Sequence, residues 1–187
     1  MEAVASLVPP GSRVLDLGCG DGALLAHLQA HHGCSGYGIE IADDNVLACE
    51  RRGVNVIQLN LDEGLAIFED ASFDVVLHID TLQHLRNTEV VLQETARVGR
   101  IGVVAFPNFG HWPNRLSIAR GRMPVTRRLP YQWYDTPNIR VGTYADFELL
   151  ALRNGLKIQD SFGLQDGHIV RTLPNLFAST AVFRFSR

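Results

Sequence analysis

Apolar positions along the chain alternate between two rhythms. Short β-branched and aliphatic runs at 13–17, 36–40, 54–58, 73–79 and 102–106 read as strands, and the stretches 23–31, 43–52 and 88–98 between them carry helical spacing. Strands of this kind, apolar on both faces and separated by helices, predict βαβ units and a parallel sheet covered on both sides. Thr143 with Asp146 three positions later has the form of a capping box, which predicts a helix through Asn154, with Gly155 placed to terminate it. Two further strands are expected at 156–162 and 179–185, giving a doubly wound α/β sheet of seven strands.

One stretch breaks the rhythm. Residues 107–140 contain five prolines, both tryptophans and two tyrosines, with no clear period. They also hold six arginines against the single acid Asp135, a local charge of +5 in a chain whose total is −3. A connection of this length inside one domain is functional or disordered more often than not, and its aromatics argue for order. The expectation is one domain over residues 1–187 with an inserted basic and aromatic segment at 107–140. A net charge of −3 is too small to argue for a nucleic-acid or membrane partner by bulk attraction, and no RNA-binding motif accompanies the arginines, so neither partner is expected. No run approaches the ~18 apolar residues of a membrane helix, and there is no basic leader before an apolar stretch. Cys19, Cys34 and Cys49 are odd in number and form no CxxC, so reduced thiols in the cytoplasm are expected.

The stretch "RVLDLGCGDGALL" at 13–25 places Gly18, Gly20 and Gly22 between a strand and a helix. Such a bend offers backbone N–H groups and a positive helix end to an anion. Asp16 at the strand end and Asp21 inside the bend change the reading, because paired carboxylates repel a pyrophosphate and attract a cation. S-adenosylmethionine, with a sulfonium and an ammonium for the acids and a carboxylate for the amides, fits this pattern; S-adenosylhomocysteine, its demethylated product, shares most of it. Glu40, ending the second strand, is placed to accept hydrogen bonds from both ribose hydroxyls, with Ile41 beside it. At the end of the third strand Asn60, Leu61 and Asp62 stand where an adenine contact belongs, Asn60 accepting through its amide oxygen. Ile79, Asp80, Thr81 and Leu82 close the other side, and Cys19 completes the bend.

Methyl transfer from a sulfonium is an in-line displacement, so positioning supplies much of the rate and a base is optional. His84, with Asp80 four residues earlier, is the first candidate for such a base; Tyr131, Tyr134, Asn108 and His111 follow. His31, His32 and Cys34 lack metal-ligand spacing, so no metal site is expected. No GxSxG elbow or P-loop is present, and the fourth strand leads into "IDTL" rather than the Asn/Asp-Pro-Pro-aromatic motif of base-modifying methyltransferases. With only about a dozen residues before the first strand, a cover over the site must come from the 107–140 segment or from another protein.

The strand order resembles the class I methyltransferase form of the Rossmann-like fold, which implies that the sheet is mostly parallel and that the last strand inserts antiparallel. More specifically, "RVLDLGCGDG", "GVNVIQLNLDEGL", "FDVVLHIDTLQ", "FPNFGHWPNRLSIARGRMPVTRRLPYQWYDTPNI" and "DFELL" together resemble the MetW family of bacterial methionine-biosynthesis proteins, over roughly residues 8 to 160. The resemblance implies a cytoplasmic protein that works with homoserine O-acyltransferase (MetX) and has an S-adenosylmethionine-binding fold without an established methyl acceptor. Where family members often have Gly-Asp after the third strand, this chain has Leu59-Asn60. Two readings follow: an activating partner of the acyltransferase that binds S-adenosylmethionine or S-adenosylhomocysteine, and a methyltransferase acting on a small molecule. Trp112, Arg122, Tyr131, Trp133 and Tyr134 are the expected interface or lid residues, since interface anchors favour Trp, Tyr and Arg.

Overall fold

The computed structural model describes residues 2–187. After a single helical turn, α1 (Glu2–Ala5), the chain enters β1 (Arg13–Leu17), whose last four residues are buried. There follow α2 (Ala23–His32), β2 (Ser35–Glu40), α3 (Asp43–Arg51), β3 (Val56–Gln58), β4 (Phe73–Ile79), α4 (Thr88–Val98) and β5 (Gly99–Pro107). These five strands are parallel throughout. The remainder comprises α5 (Trp112–Ala119), α6 (Tyr144–Arg153), β6 (Lys157–Gln165), β7 (His168–Val170), α7 (Pro174–Phe177) and β8 (Thr180–Ser186). β8 inserts antiparallel between β5 and β6, giving the order β3-β2-β1-β4-β5-β8-β6-β7.

The sheet therefore has eight strands rather than the seven expected from the pattern. The added strand, β7, is three residues long and pairs with β6 across an Asp166-Gly167 turn whose φ angles are both positive, 50° and 85°. Asp-Gly is a strong hairpin signal, but His168 and Ile169 are exposed and leave no burial alternation to read. A second departure is α5, eight residues long, inside the segment that showed no period; it starts with Pro113 in its first turn.

Side chains alternate between two cores. Leu15, Leu17, Val104, Phe106, Phe183 and Phe185 face one side, where Tyr144 and Phe147 of α6 pack on Phe183 at ring separations of 4.5 and 4.6 Å. Val14, Val75, Leu77, Val103 and Val182 face the other, against Leu25 and Leu28 of α2. The predicted capping box of α6 forms: Asp146 N–H donates to Thr143 Oγ1, and Thr143 N–H donates to Asp146 Oδ2 at 3.0 Å.

His78, in the middle of β4, was not singled out by the sequence pattern and is fully buried. The Thr95 hydroxyl donates to Val91 O, so the 2.6 Å contact between Thr95 Oγ1 and His78 Nε2 requires that Nε2 carry the proton; Nδ1 is buried without a partner. Desolvation lowers the imidazole to about 3 from an ordinary 6.5. A histidine depressed in the folded state takes up protons preferentially when unfolded, so the stability that neutral His78 permits is lost as pH falls from 6.5 toward 3. His78→Asn should lower the midpoint of acid unfolding, followed by circular dichroism, by about half a pH unit or more; an unchanged midpoint would assign acid sensitivity elsewhere.

Candidate functional site

In the strand order, the chain moves outward from β1 to β3 and then returns to place β4 on the other flank of β1. The reversal opens a crevice at the carboxyl ends of β1 and β4, where doubly wound sheets bind ligands. Gly18 has a φ of 72°, and a Cβ there would meet Thr81 Oγ1 at 2.7 Å; the Thr81 hydroxyl donates to Leu17 O at 2.8 Å, so the two strand ends touch. The absence of a side chain at Gly18 is what permits this.

The glycine bend differs from the expectation of free N–H groups. Gly18 and Cys19 N–H both donate to Ile39 O, Gly20 N–H to Glu40 Oε2, Gly22 N–H to Cys19 O and Ala23 N–H to Asp21 Oδ1. Three of these amides turn inward onto β2 and two close local turns, so an anion arriving there finds few donors. Asp21 also differs: it turns outward and pairs with Arg52 from the end of α3. The acid character of the crevice therefore rests on Asp16, Glu40, Asp62 and Asp80.

Asp16 lies beneath the bend, 3% exposed. Burial, reinforced by the nearby Glu40 carboxylate, raises it from 3.8 to about 7. Glu40 Oε1 accepts from Ile41 and Ala42 N–H at 2.8 and 2.9 Å, and Oε2 from Gly20 N–H at 2.9 Å. A carboxylate has about four acceptor positions, so one on Oε2 remains for a hydroxyl. Burial also raises the thiol of Cys19, whose Sγ lies 3.7 Å from Cys49 Sγ behind the bend.

A cleft of about 850 Å3 opens beside this bend, lined by Gly18, Glu40, Ile41, Asn60, Leu61, Asp62, Asp80, Thr81 and His84, together with Asn45, Leu85, Arg86, Asn87 and Ile139. Most sequence-predicted ligand residues thus meet at one place; Asp16, Cys19, Gly20, Gly22 and Ile79 stand behind the lining. Asn60 Oδ1 accepts from Asp62 N–H at 3.1 Å, capping a 3-10 turn at Leu61–Glu63, so its amide presents mainly NH2 to the cleft. Asp62 Oδ1 accepts from Arg86 N–H, leaving its second oxygen as the local acceptor.

Asp80 and His84 both line the cleft but do not pair. Asp80 instead accepts from Arg128 Nη2 at 2.7 and 3.0 Å, and His84 Nδ1 donates to Pro137 O at 3.2 Å, leaving Nε2 as a free acceptor. Both partners come from the inserted segment, which is further pinned by Ile139 and Arg140 N–H on Gln83 O. A separation of 48 residues in the chain, with Arg128 in an arginine-rich run, gave no sequence signal for this contact. The aromatics of the segment point elsewhere: Trp133 and Tyr134 are each 71% exposed, Trp112, Tyr131 and Arg122 are exposed too, and none lines the cleft. Asn108, a candidate proton acceptor in the sequence, is 1% exposed with its amide bonded to four backbone groups, which removes it from that role. Leu82 and Gln83 also line a second cavity, of about 440 Å3, where Phe106, Phe109, Leu129 and Phe147 meet the charged Arg140, Asp146 and Arg153. Among the described residues no metal-ligating cluster of three or more side chains occurs, and no helix is long and apolar enough to cross a membrane.

Comparison with known proteins places this geometry in context. The family described as methionine biosynthesis protein MetW matches residues 1–185. The bifunctional methionine biosynthesis protein MetXA/MetW of Rhodopirellula baltica is 38% identical over all of this chain, which spans only 32% of that longer relative. A 2-methyl-6-phytyl-1,4-hydroquinone methyltransferase of Synechocystis is 31% identical over 67% of the chain, covering 41% of the relative. Among solved structures, a SAM-dependent methyltransferase of Thermotoga maritima, a possible histamine N-methyltransferase, superposes with a TM-score of 0.71 at 19% identity, covering 99% of this chain and 86% of that one. An S-adenosylmethionine-dependent methyltransferase of Mesorhizobium loti gives 0.72 at 16%, covering 100% and 96%. At these identities the structures establish the fold, a class I methyltransferase sheet.

Proposed function

The chain belongs to the methionine biosynthesis protein MetW family, and on that premise we propose that it binds S-adenosylmethionine or S-adenosylhomocysteine in the β1–β4 cleft and acts in the cytoplasm as an activating partner of homoserine O-acyltransferase. The observation that carries the partner reading is the split of the inserted segment: its arginine and backbone contacts fasten it to the cleft wall, while Trp133 and Tyr134, edge to face at 5.7 Å, stand in solvent. Large exposed aromatics are the usual anchors of an interface. The bifunctional relative of Rhodopirellula baltica joins MetXA and MetW in its name, which supports the same pairing.

The residues present fit a cationic nucleoside. Asp16 and Asp80 supply negative charge, Glu40 has one acceptor position left for a ribose hydroxyl, and Asp62 offers its second oxygen to an amino group of the base. With its inward-turned amides and four carboxylates, the cleft disfavours a diphosphate. When bound, S-adenosylmethionine supplies an electrophilic methyl group. His84 Nε2, on the cleft wall, is the acceptor available to take a proton from a nucleophile.

Calorimetry with each nucleoside, repeated with the acyltransferase present, tests ligand and partner together. The expected result is micromolar-range binding, copurification with the acyltransferase and a rise in its rate of at least about fivefold. Acyltransferase that neither copurifies nor changes its rate would overturn the partner reading. The free Nε2 of His84 on the cleft wall favours a second reading, methyl transfer to a small-molecule acceptor. That reading requires label from S-adenosylmethionine to appear in a metabolite extract, and to disappear with Glu40→Ala.

A further inference from the structure

Building on the nucleoside reading above, we propose that the Arg128–Asp80 contact makes the cleft sense the charge on the ligand's sulfur: the inserted segment stays fastened over the neutral thioether and is loosened by the sulfonium. Asp80 is fixed as a cleft-wall residue. Its backbone is left-handed, with a φ of 55°, its N–H donates to Ala105 O and its carbonyl accepts from Gln83 Nε2. Its carboxylate differs from the others in the cleft. Glu40 and Asp62 are occupied by backbone N–H groups, and Asp16 lies under the bend, whereas Asp80 is balanced by a side chain from a separate segment.

The contact is built to be displaced. A single nitrogen, Arg128 Nη2, straddles both Asp80 oxygens, while Nε is buried without an acceptor, so the two-point fork of a full guanidinium–carboxylate pair is not made. Both side chains are about two-fifths exposed, which keeps the pair weak. A sulfonium in the cleft adds a second cation competing for one carboxylate; the thioether, alike in every other charge, does not. The cost is transmitted to the neighbouring attachments, the Ile139 and Arg140 N–H bonds to Gln83 O, and Ile139 itself lines the cleft. Because Trp133 and Tyr134 belong to the same segment, the surface offered to a partner reflects which nucleoside is bound. Linkage is reciprocal, so a segment loosened by the sulfonium must itself disfavour the sulfonium.

Amide hydrogen exchange at Ile139 and Arg140 reads the attachment directly. With each nucleoside saturating, exchange is expected to be about threefold faster under S-adenosylmethionine than under S-adenosylhomocysteine. Arg128→Ala should equalise the two rates and shift the ratio of calorimetric affinities about threefold toward S-adenosylmethionine. Equal exchange in the unsubstituted protein, or an unchanged affinity ratio in Arg128→Ala, overturns the charge sensing while leaving nucleoside binding intact. Absence of binding by both nucleosides overturns the reading beneath it, and the proposal with it.

Discussion

Asp16→Asn should stabilise the ligand-free protein at pH 8 and, in the same substitution, remove most of its affinity for S-adenosylmethionine. Asp16 is raised from 3.8 to about 7, first by burial and then by Glu40. A carboxyl group whose folded value lies above its unfolded value contributes stability that is complete below the unfolded value, 3.8, and is lost as pH rises from there through the folded value, about 7. Above neutrality the ligand-free fold therefore holds a desolvated charge, at a cost on the order of 4 kcal/mol at most. Asn is isosteric and uncharged, so the variant should gain roughly 1–3 kcal/mol at pH 8, several degrees in Tm, and less than half of that at pH 5. Binding should move the other way, weakening about 10- to 100-fold at pH 8 as the cation loses its counter-charge. The unsubstituted protein should likewise bind more weakly as pH falls below about 7, where Asp16 becomes protonated. Melting curves at both pH values together with calorimetry decide the matter. A variant that melts lower at pH 8, or that binds as tightly as the parent, would show that Asp16 is a structural acid and not the ligand's counter-charge.

The same residue shows how far the sequence could be read. Asp16, Glu40 and Asp80 were legible because each ends a strand whose apolar run is unmistakable, and strand ends in a parallel sheet converge on one edge. The antiparallel insertion of β8 followed from the resemblance to class I methyltransferases, since nothing in the 180–186 run specifies its direction. What the pattern could not reveal were long-range polar contacts. The inward turn of the Gly18, Cys19 and Gly20 amides depends on the carbonyl of Ile39 and the carboxylate of Glu40, about twenty residues away. The outward turn of Asp21 depends on Arg52, 31 residues on. A charge run such as the one around Arg128 has the same composition whether it is solvated or holds a cleft wall, and only the fold distinguishes the two.

Asn108 is the sharpest instance, and its replacement should have the largest effect on stability. Asn108, directly after β5 and near the start of the inserted segment, was among the sequence candidates for a proton acceptor. In the fold its Oδ1 accepts from Gly110 N–H at 3.0 Å and Tyr144 N–H at 3.1 Å, while its Nδ2 donates to Ala178 O at 2.8 Å and Asn175 O at 3.1 Å. One buried amide thus joins the end of β5 to the start of α6 and to the turn between α7 and β8. Asn108→Ala strands two donors and two acceptors with almost no access to water, at roughly 1 kcal/mol or more apiece, so a loss of about 3–5 kcal/mol is expected, or roughly 10 °C in Tm. Asn108→Asp makes a sharper test, because it keeps the shape and changes only the hydrogen inventory. Ionised, the carboxylate has no donor for the Ala178 and Asn175 carbonyls; protonated, it recovers one. The aspartate variant should therefore be more stable at pH 5 than at pH 8, the sense expected of a carboxyl group whose folded value is raised. A purely catalytic asparagine would leave the melting temperature of both variants near that of the parent, and that outcome would return Asn108 to the list of groups acting on a substrate.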